Sequence, residues 1–171
     1  APVELVVPLI DELVDGLNSR SQEVHPLLKA AMAHLNLVLI HPFSDGNGRM
    51  ARCLQTLVLS RHGVLGPVFS SIEEYLGRNT PGYYEVLASV GAGAWHPERD
   101  TRLWIRFCLT AHYRQATTLL RRIRIMELLY EELELIVQKG GLDRRCVLGV
   151  LDAAMGQRVR NPTYRVAVDV T

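Results

Sequence analysis

The sequence predicts an all-α protein, and three stretches carry that expectation. VHPLLKAAMAHLNLVLI (24–40) places Leu28, Ala31, Met32 and Leu35 on one helical face, and its last turns are nearly all apolar, as in a buried helix. RMARCLQTLVLSRH (49–62) reads as a second helix after a turn-rich interval. Residues 101–139 hold helical periodicity from end to end.

Taken in order, VELVVPLIDELVDGLNS (3–19) has Leu9, Leu13 and Leu17 at helical spacing, with Pro2 and Pro8 expected to limit its start. The helix at 24–40 is broken by HPFSDGNG, and Gly63 is the expected C′ residue of the helix at 49–62. GPVFSS (66–71) is expected as a loop, or at most a short extended piece. IEEYLGRN (72–79) and PGYYEVLASVG (81–91) read as two short helices split by Asn79 and Pro81, and 92–100 as a loop. The run at 101–139 exceeds most globular helices, so the expectation is a long curved helix or a break inside it. KGG (139–141) reads as a linker, 142–156 as a short helix, and TYRVAVDVT (163–171) alternates like a strand.

A chain of 171 residues suits one domain with a small appendage. Apolar residues at 48% and charged residues at 22% give the balance of a soluble globular protein. A net charge of +1 decides nothing about nucleic acid, because clustering matters more than the sum. Cys53, Cys108 and Cys146 fit neither a disulfide framework nor a zinc pattern, so reduced thiols in a cytoplasmic protein are expected. No apolar run reaches membrane-span length. His25, His34, His62, His96 and His112 lack zinc spacing and read as packed or surface residues.

HPFSDGNGRMAR (41–52) concentrates the chemistry. The glycines of Asp45-Gly46-Asn47-Gly48 permit positive φ and bring backbone N–H groups toward a ligand. A helix begins at once, so its unpaired N–H groups and positive dipole end face the same space. Those four residues alone also suit an ordinary capped turn. Arg49 and Arg52, three apart, share one helix face and oppose the dipole in its first turn. A bound polyanion explains them; so does pairing with acidic residues on a neighbouring helix. Guanidinium forks match phosphate oxygens, and a triphosphate offers enough for both. His41 suits proton transfer near neutrality. Phe43 is expected to plug the core beneath the turn. Asp45, a hard oxygen donor beside phosphates, suits Mg²⁺.

This segment resembles the Fic-domain signature H-P-F-x-[D/E]-G-N-G-R-x-x-R at all nine fixed positions. The likeness extends over roughly residues 3–138, including the helices flanking the motif, YYEVL and the start of the last long helix. It implies a Fic-type helical core with the catalytic loop between two central helices, over 1–138 and without the upstream β-hairpin flap that docks targets. Residues 139–171 would be a linker and a partial helical or winged-helix-like extension. It further implies AMP transfer from ATP, with Mg²⁺, to a Ser, Thr or Tyr hydroxyl of a target protein. By position, His41 resembles the general base and Asp45 the Mg²⁺ ligand. Gly46, Asn47 and Gly48 resemble the anion hole, Arg49 the β-phosphate contact and Arg52 the γ-phosphate contact. Tyr83, Tyr84 and Leu87 would border the adenosine, or else form core packing plus one exposed ring. Gly91 stands where many relatives carry an asparagine for the adenine edge.

The family's inhibitory pattern, [S/T]-x-x-x-E-[G/N], is incomplete here: Ser19 with Glu23 and Ser70 with Glu74 keep the spacing, but Val24 and Tyr75 follow. The expectation is that nothing within the chain occupies Arg52, with inhibition left to a segment or protein outside it. A homodimer stays open. Two other readings remain: a nucleotide-sensing regulator binding DNA through a C-terminal module that includes Arg144, Arg145, Arg158, Arg160 and Arg165, and a Doc-like protein kinase. The retained GNGR favours nucleotidyl transfer over the latter.

Overall fold

The computed structural model describes residues 1–19, 24–63, 71–93 and 95–169. Every regular element among them is a helix, in keeping with the expected all-α class: α1 (Val3–Asn18), α2 (Pro26–Ile40), α3 (Asn47–Arg61), α4 (Glu73–Arg78), α5 (Thr80–Gly91), α6 (Arg102–Lys139), α7 (Cys146–Ala154) and α8 (Asn161–Ala167). Glu23, Ser70 and all of the expected 66–71 loop except Ser71 lie outside the described residues. No helix among the described residues is long and apolar enough to cross a membrane. The chain forms two compact units, Ala1–Thr117 and Thr118–Thr171.

In the first unit α2 is the central helix, buried on two faces. Ala30 and Ala33 pack on Val58 and Leu59 of α3, with Leu17 of α1 beside them. Ala31 and Leu35 meet Leu76 of α4, Tyr83 and Val90 of α5, and Trp104, Cys108 and Ala111 of α6. The small alanines let neighbouring helices approach closely, and Trp104 Nε1–H donates to the Ala31 carbonyl at 2.8 Å. The start of α2 is written in the sequence. Pro26 occupies the first turn, and the His25 side chain accepts the Leu27 N–H.

Two positions need glycine or its equivalent. Gly46 caps α3 at φ 87°. Gly91 packs so closely on α2 that an added Cβ would lie 2.7 Å from a Leu39 methyl. An asparagine here would fit only if Leu39 turned aside.

Several expectations change. Pro8 does not limit α1: the helix starts at Val3 after Pro2, and Pro8 sits inside it. A proline there forgoes one backbone bond, which a helix with no buried residue can leave to water. The long run at 101–139 has no break, because α6 is continuous. Its early turns bury Trp104, Cys108, Ala111 and Gln115, and its late turns bury Leu133 and Val137. In the second unit Leu133 and Val137 pack on Val147 of α7. Arg144 pairs with Glu134.

The strand expected at 163–171 is instead the helix α8, with residues 170 and 171 outside the described range. Pro162 occupies its first turn. The Tyr164 ring lies against Gly149, where an added Cβ would meet it at 3.0 Å, and the Tyr164 hydroxyl donates to the Arg145 carbonyl at 2.8 Å. A short alternating run fixes no secondary structure when one tertiary anchor decides it.

Candidate active site

The α2–α3 junction bends because His41 takes left-handed backbone angles, φ 58° and ψ 55°, and Pro42 cannot extend the helix. A non-glycine residue held there costs on the order of 1 kcal/mol. His41 is exposed, and its Nδ1 lies 3.3 Å from the Val38 carbonyl. A carbonyl only accepts, so this contact assigns the ring hydrogen to Nδ1 and leaves Nε2 as the proton acceptor.

The loop is closed by Asn47. Its Nδ2 donates to the Phe43 carbonyl at 2.6 Å, and its Oδ1 accepts the Phe43 N–H at 3.0 Å. Asn47 is buried and Phe43 is 46% exposed, which corrects the expectation that the phenyl ring plugs the turn. The amide does this because it satisfies two backbone groups that an aromatic ring would leave unpaired. The Asn47 side chain is thereby engaged within the loop. What the turn offers a ligand is backbone: the first helical bond of α3 is Met50 N–H to the Gly46 carbonyl, so the amides of residues 47–49 precede it.

Both arginines of the motif are paired. Arg49 Nη2 donates to Asp45 Oδ2 at 2.9 Å, an exposed i,i+4 pair, while Asp45 Oδ1 accepts the Gly46 N–H at 2.6 Å. Arg52 Nε donates to Glu73 Oε1 of α4 at 2.6 Å. This overturns the expectation that nothing in the chain occupies Arg52. The occupant lies in neither degenerate inhibitory match: it is the residue before Glu74, which pairs with Arg78. The sequence carried a faint signal, since acidic partners from a neighbouring helix were one open reading of the two arginines.

A buried polar chain lies under the turn. His34 Nδ1 meets Gln55 Oε1 at 2.6 Å, His34 Nε2 meets the Tyr83 hydroxyl at 3.1 Å, and Gln55 Nε2 meets His112 Nε2 at 3.0 Å. The Tyr83 hydroxyl lies 3.9 Å from where a Cβ on Gly48 would stand. Burial, with the Arg52 charge adding to it and the Gln55 bond opposing, pushes the His34 pKa down to about 4. Burial likewise lowers His112 and raises Tyr83 to about 12. The structure therefore brings Tyr83 to the motif from beneath. Tyr84 is an exposed ring stacked edge-on to Tyr83 at 5.1 Å, and Leu87 packs against the core. Gln55, Glu73 and His112 were not singled out as site residues by the sequence. Gln55 could have been found from its spacing, because it lies one and two turns beyond Ala51 and Asn47 on one face of α3.

These features define an α-helical protein whose central turn joins His41 to the start of a helix. Residues 1–59 match the model of the Fic/DOC family. Protein adenylyltransferase fic-1 of Caenorhabditis elegans is 37% identical over 106 residues, covering 60% of this chain and 21% of that protein. Protein adenylyltransferase Fic of Nematostella vectensis is 40% identical over 94 residues, covering 54% and 19%. Its namesake in Aedes aegypti is 36% identical over 100 residues, covering 58% and 18%. The chain thus spans about a fifth of the length of these relatives.

Proposed function

We propose that this chain is the catalytic core of a protein adenylyltransferase, which moves AMP from ATP to a Ser, Thr or Tyr hydroxyl of a target protein. The observation that carries the reading is the α2–α3 turn itself. It holds a proton-accepting His41 nitrogen, a left-handed Gly46 heading an open helix start, and two arginines whose present partners are acids. An anionic ligand can take the place of such acids. The names of the relatives point the same way.

In this reading His41 Nε2 removes the hydroxyl proton as the oxygen bonds to the α-phosphorus. The bond from that phosphorus to the bridging oxygen breaks, and pyrophosphate leaves with its electron pair. The amides of residues 47–49, Arg49 and Arg52 are placed to hold the charge that builds there. All these groups lie within Ala1–Thr117. Asp45 fits Mg²⁺ by donor type, an exposed carboxylate beside the phosphate-facing turn. The ion would add positive charge to the phosphates.

The direct test is mass spectrometry of lysate incubated with the chain and isotope-labelled ATP. An AMP-sized label on a hydroxyl side chain supports the reading, and a phosphoryl-sized label supports a Doc-like kinase instead. Asp45→Ala should remove the Mg²⁺ dependence of ATP binding, checked by titration with and without the metal. Glu73→Gln should tighten ATP by a few-fold and leave AMP unchanged, because the freed Arg52 meets only the terminal phosphate. The gain stays small, since the carboxylate is over half exposed and screened by solvent. Equal affinities of Glu73→Gln and wild type for ATP would mean that the ion pair does not compete with ligand.

A further inference from the structure

The later half of α6 carries more apolar surface than its own unit covers. From Thr118 onward the helix lies in the second unit, and Leu129, Leu133 and Val137 on one side pack with Val147 of α7. A different side is left open: Ile125 is 57% exposed, Leu128 46%, Leu135 48% and Ile136 61%. At the helical rotation per residue these four fall within an arc of about 100°. Arg121 and Glu132, both exposed, stand inside the same arc. The run Arg121, Ile125, Leu128, Glu132, Leu135 is spaced alternately by four and three, which is the seam of a coiled coil. Two charges in such a seam are costly unless a partner meets each of them.

The order of the charges says which partner fits. Arg121, Arg122 and Arg124 come first along the helix, and Glu131, Glu132 and Glu134 after them. A second copy laid antiparallel presents this order in reverse. Ile125 follows Arg121 by four residues and Leu128 precedes Glu132 by four, so one register sets both pairs. Ile125 then faces Leu128 of the second copy, Arg121 faces its Glu132, and a two-fold axis repeats both contacts. A parallel copy would instead set Arg121 against Arg121 and Glu132 against Glu132. Arg124 and Glu127 already form an exposed pair within the helix at 3.3 Å, so Arg121 and Glu132 decide the register. We propose that α6 is a self-association surface: a second copy of this chain packs antiparallel on the stripe of Ile125, Leu128, Leu135 and Ile136, with Arg121 of each copy paired to Glu132 of the other. Burial of the four apolar side chains offsets the cost of holding two ion pairs in the seam. None of these residues belongs to the motif at 41–52, so the inference stands apart from the adenylyltransferase reading.

Sedimentation velocity on the full chain tests this before any variant is made. The unmodified chain should shift from monomer to dimer as its concentration rises, and a monomer at every concentration up to the solubility limit overturns the proposal. Ile125→Glu and Leu128→Glu each put a carboxylate into the seam at an exposed position. Each should leave only monomer, with the helical circular dichroism unchanged. Arg121→Glu and Glu132→Arg each set like charges face to face twice, and each should raise the dimer dissociation constant about tenfold or more. The double variant, Arg121→Glu with Glu132→Arg, exchanges the two partners and should return the constant to within about threefold of the unmodified chain. In a parallel pair each single reversal exchanges one like-charge contact for another, so an unmoved constant in both single variants overturns the antiparallel pairing. A dimer that survives Ile125→Glu and Leu128→Glu unchanged uses another surface, and the proposal falls.

Discussion

A His41→Ala chain should transfer AMP about 10²–10⁴-fold more slowly than the unmodified chain, the usual scale for losing a positioned base. Its affinity for ATP with Mg²⁺ should stay within a few-fold, because among the described residues the ring's one hydrogen bond goes to the Val38 carbonyl and not to a phosphate-clamping group. Alanine keeps the left-handed backbone strain at this position, so a His41→Gly chain is the better stability control. It should be equally inactive and no less stable in urea, since glycine adopts φ 58° without penalty. Rates come from transfer of labelled AMP to a target, and affinities from calorimetry. A folded His41→Ala chain that no longer binds ATP would place the imidazole on the nucleotide instead, and the base assignment would be lost.

The elements around the site were legible because their signals are local. Pro26 and the apolar run set α2, while the glycines about Asn47 and the prompt return of helical periodicity set α3. The Asp45–Arg49 pair is local as well, although the sequence points Asp45 to a metal and the arginines to phosphate or a neighbouring helix. What stayed hidden depends on partners distant in sequence. Glu73 reaches Arg52 across twenty-one positions, and no periodicity announces it. Phe43 is expected by type to point inward. The structure leaves Phe43 half exposed and buries Asn47 instead, because two backbone groups of the loop need its amide.

The buried face of α3 makes the same point. It runs Asn47, Ala51, Gln55, Val58 and Leu59, with two polar residues in the stripe, while Met50 and Leu57 are exposed. A search for apolar spacing misses such a stripe, since burial of Gln55 becomes favourable only once His34 and His112 are known to satisfy it. His34 sat in view as one histidine among several, seven residues before His41. Its role follows from contacts on α3 and α5 that its own helix does not contain.

That same buried histidine should make the first unit acid-sensitive in a defined window. In the folded chain His34 binds its proton near pH 4, against an ordinary value of 6.5, chiefly because burial disfavours the imidazolium. The sign follows directly. As pH falls below about 6.5 the unfolded chain takes up the proton first, so it gains stability relative to the folded state, and the protein weakens. The contribution is complete above pH 6.5 and lost by about pH 4. The difference in pKa corresponds to about 3 kcal/mol, a large share of a typical domain's stability. His112, also lowered by burial, acts in the same direction. The exposed carboxylates Asp100 and Asp143 are held near 2 by Arg102 and Arg145, so their release falls below this window and does not mimic it. Urea unfolding followed by tryptophan fluorescence suits the test, because the Trp104 ring stands 4.9 Å from His34. The unmodified chain should lose stability steadily between pH 6.5 and 4.5. A His34→Gln chain should be weaker at pH 7 yet lose less over that interval, since the group that titrates is gone. A flat profile for the unmodified chain would mean that His34 takes up its proton without unfolding the core, and the closed hydrogen-bond chain beneath Arg52 would then be wrong.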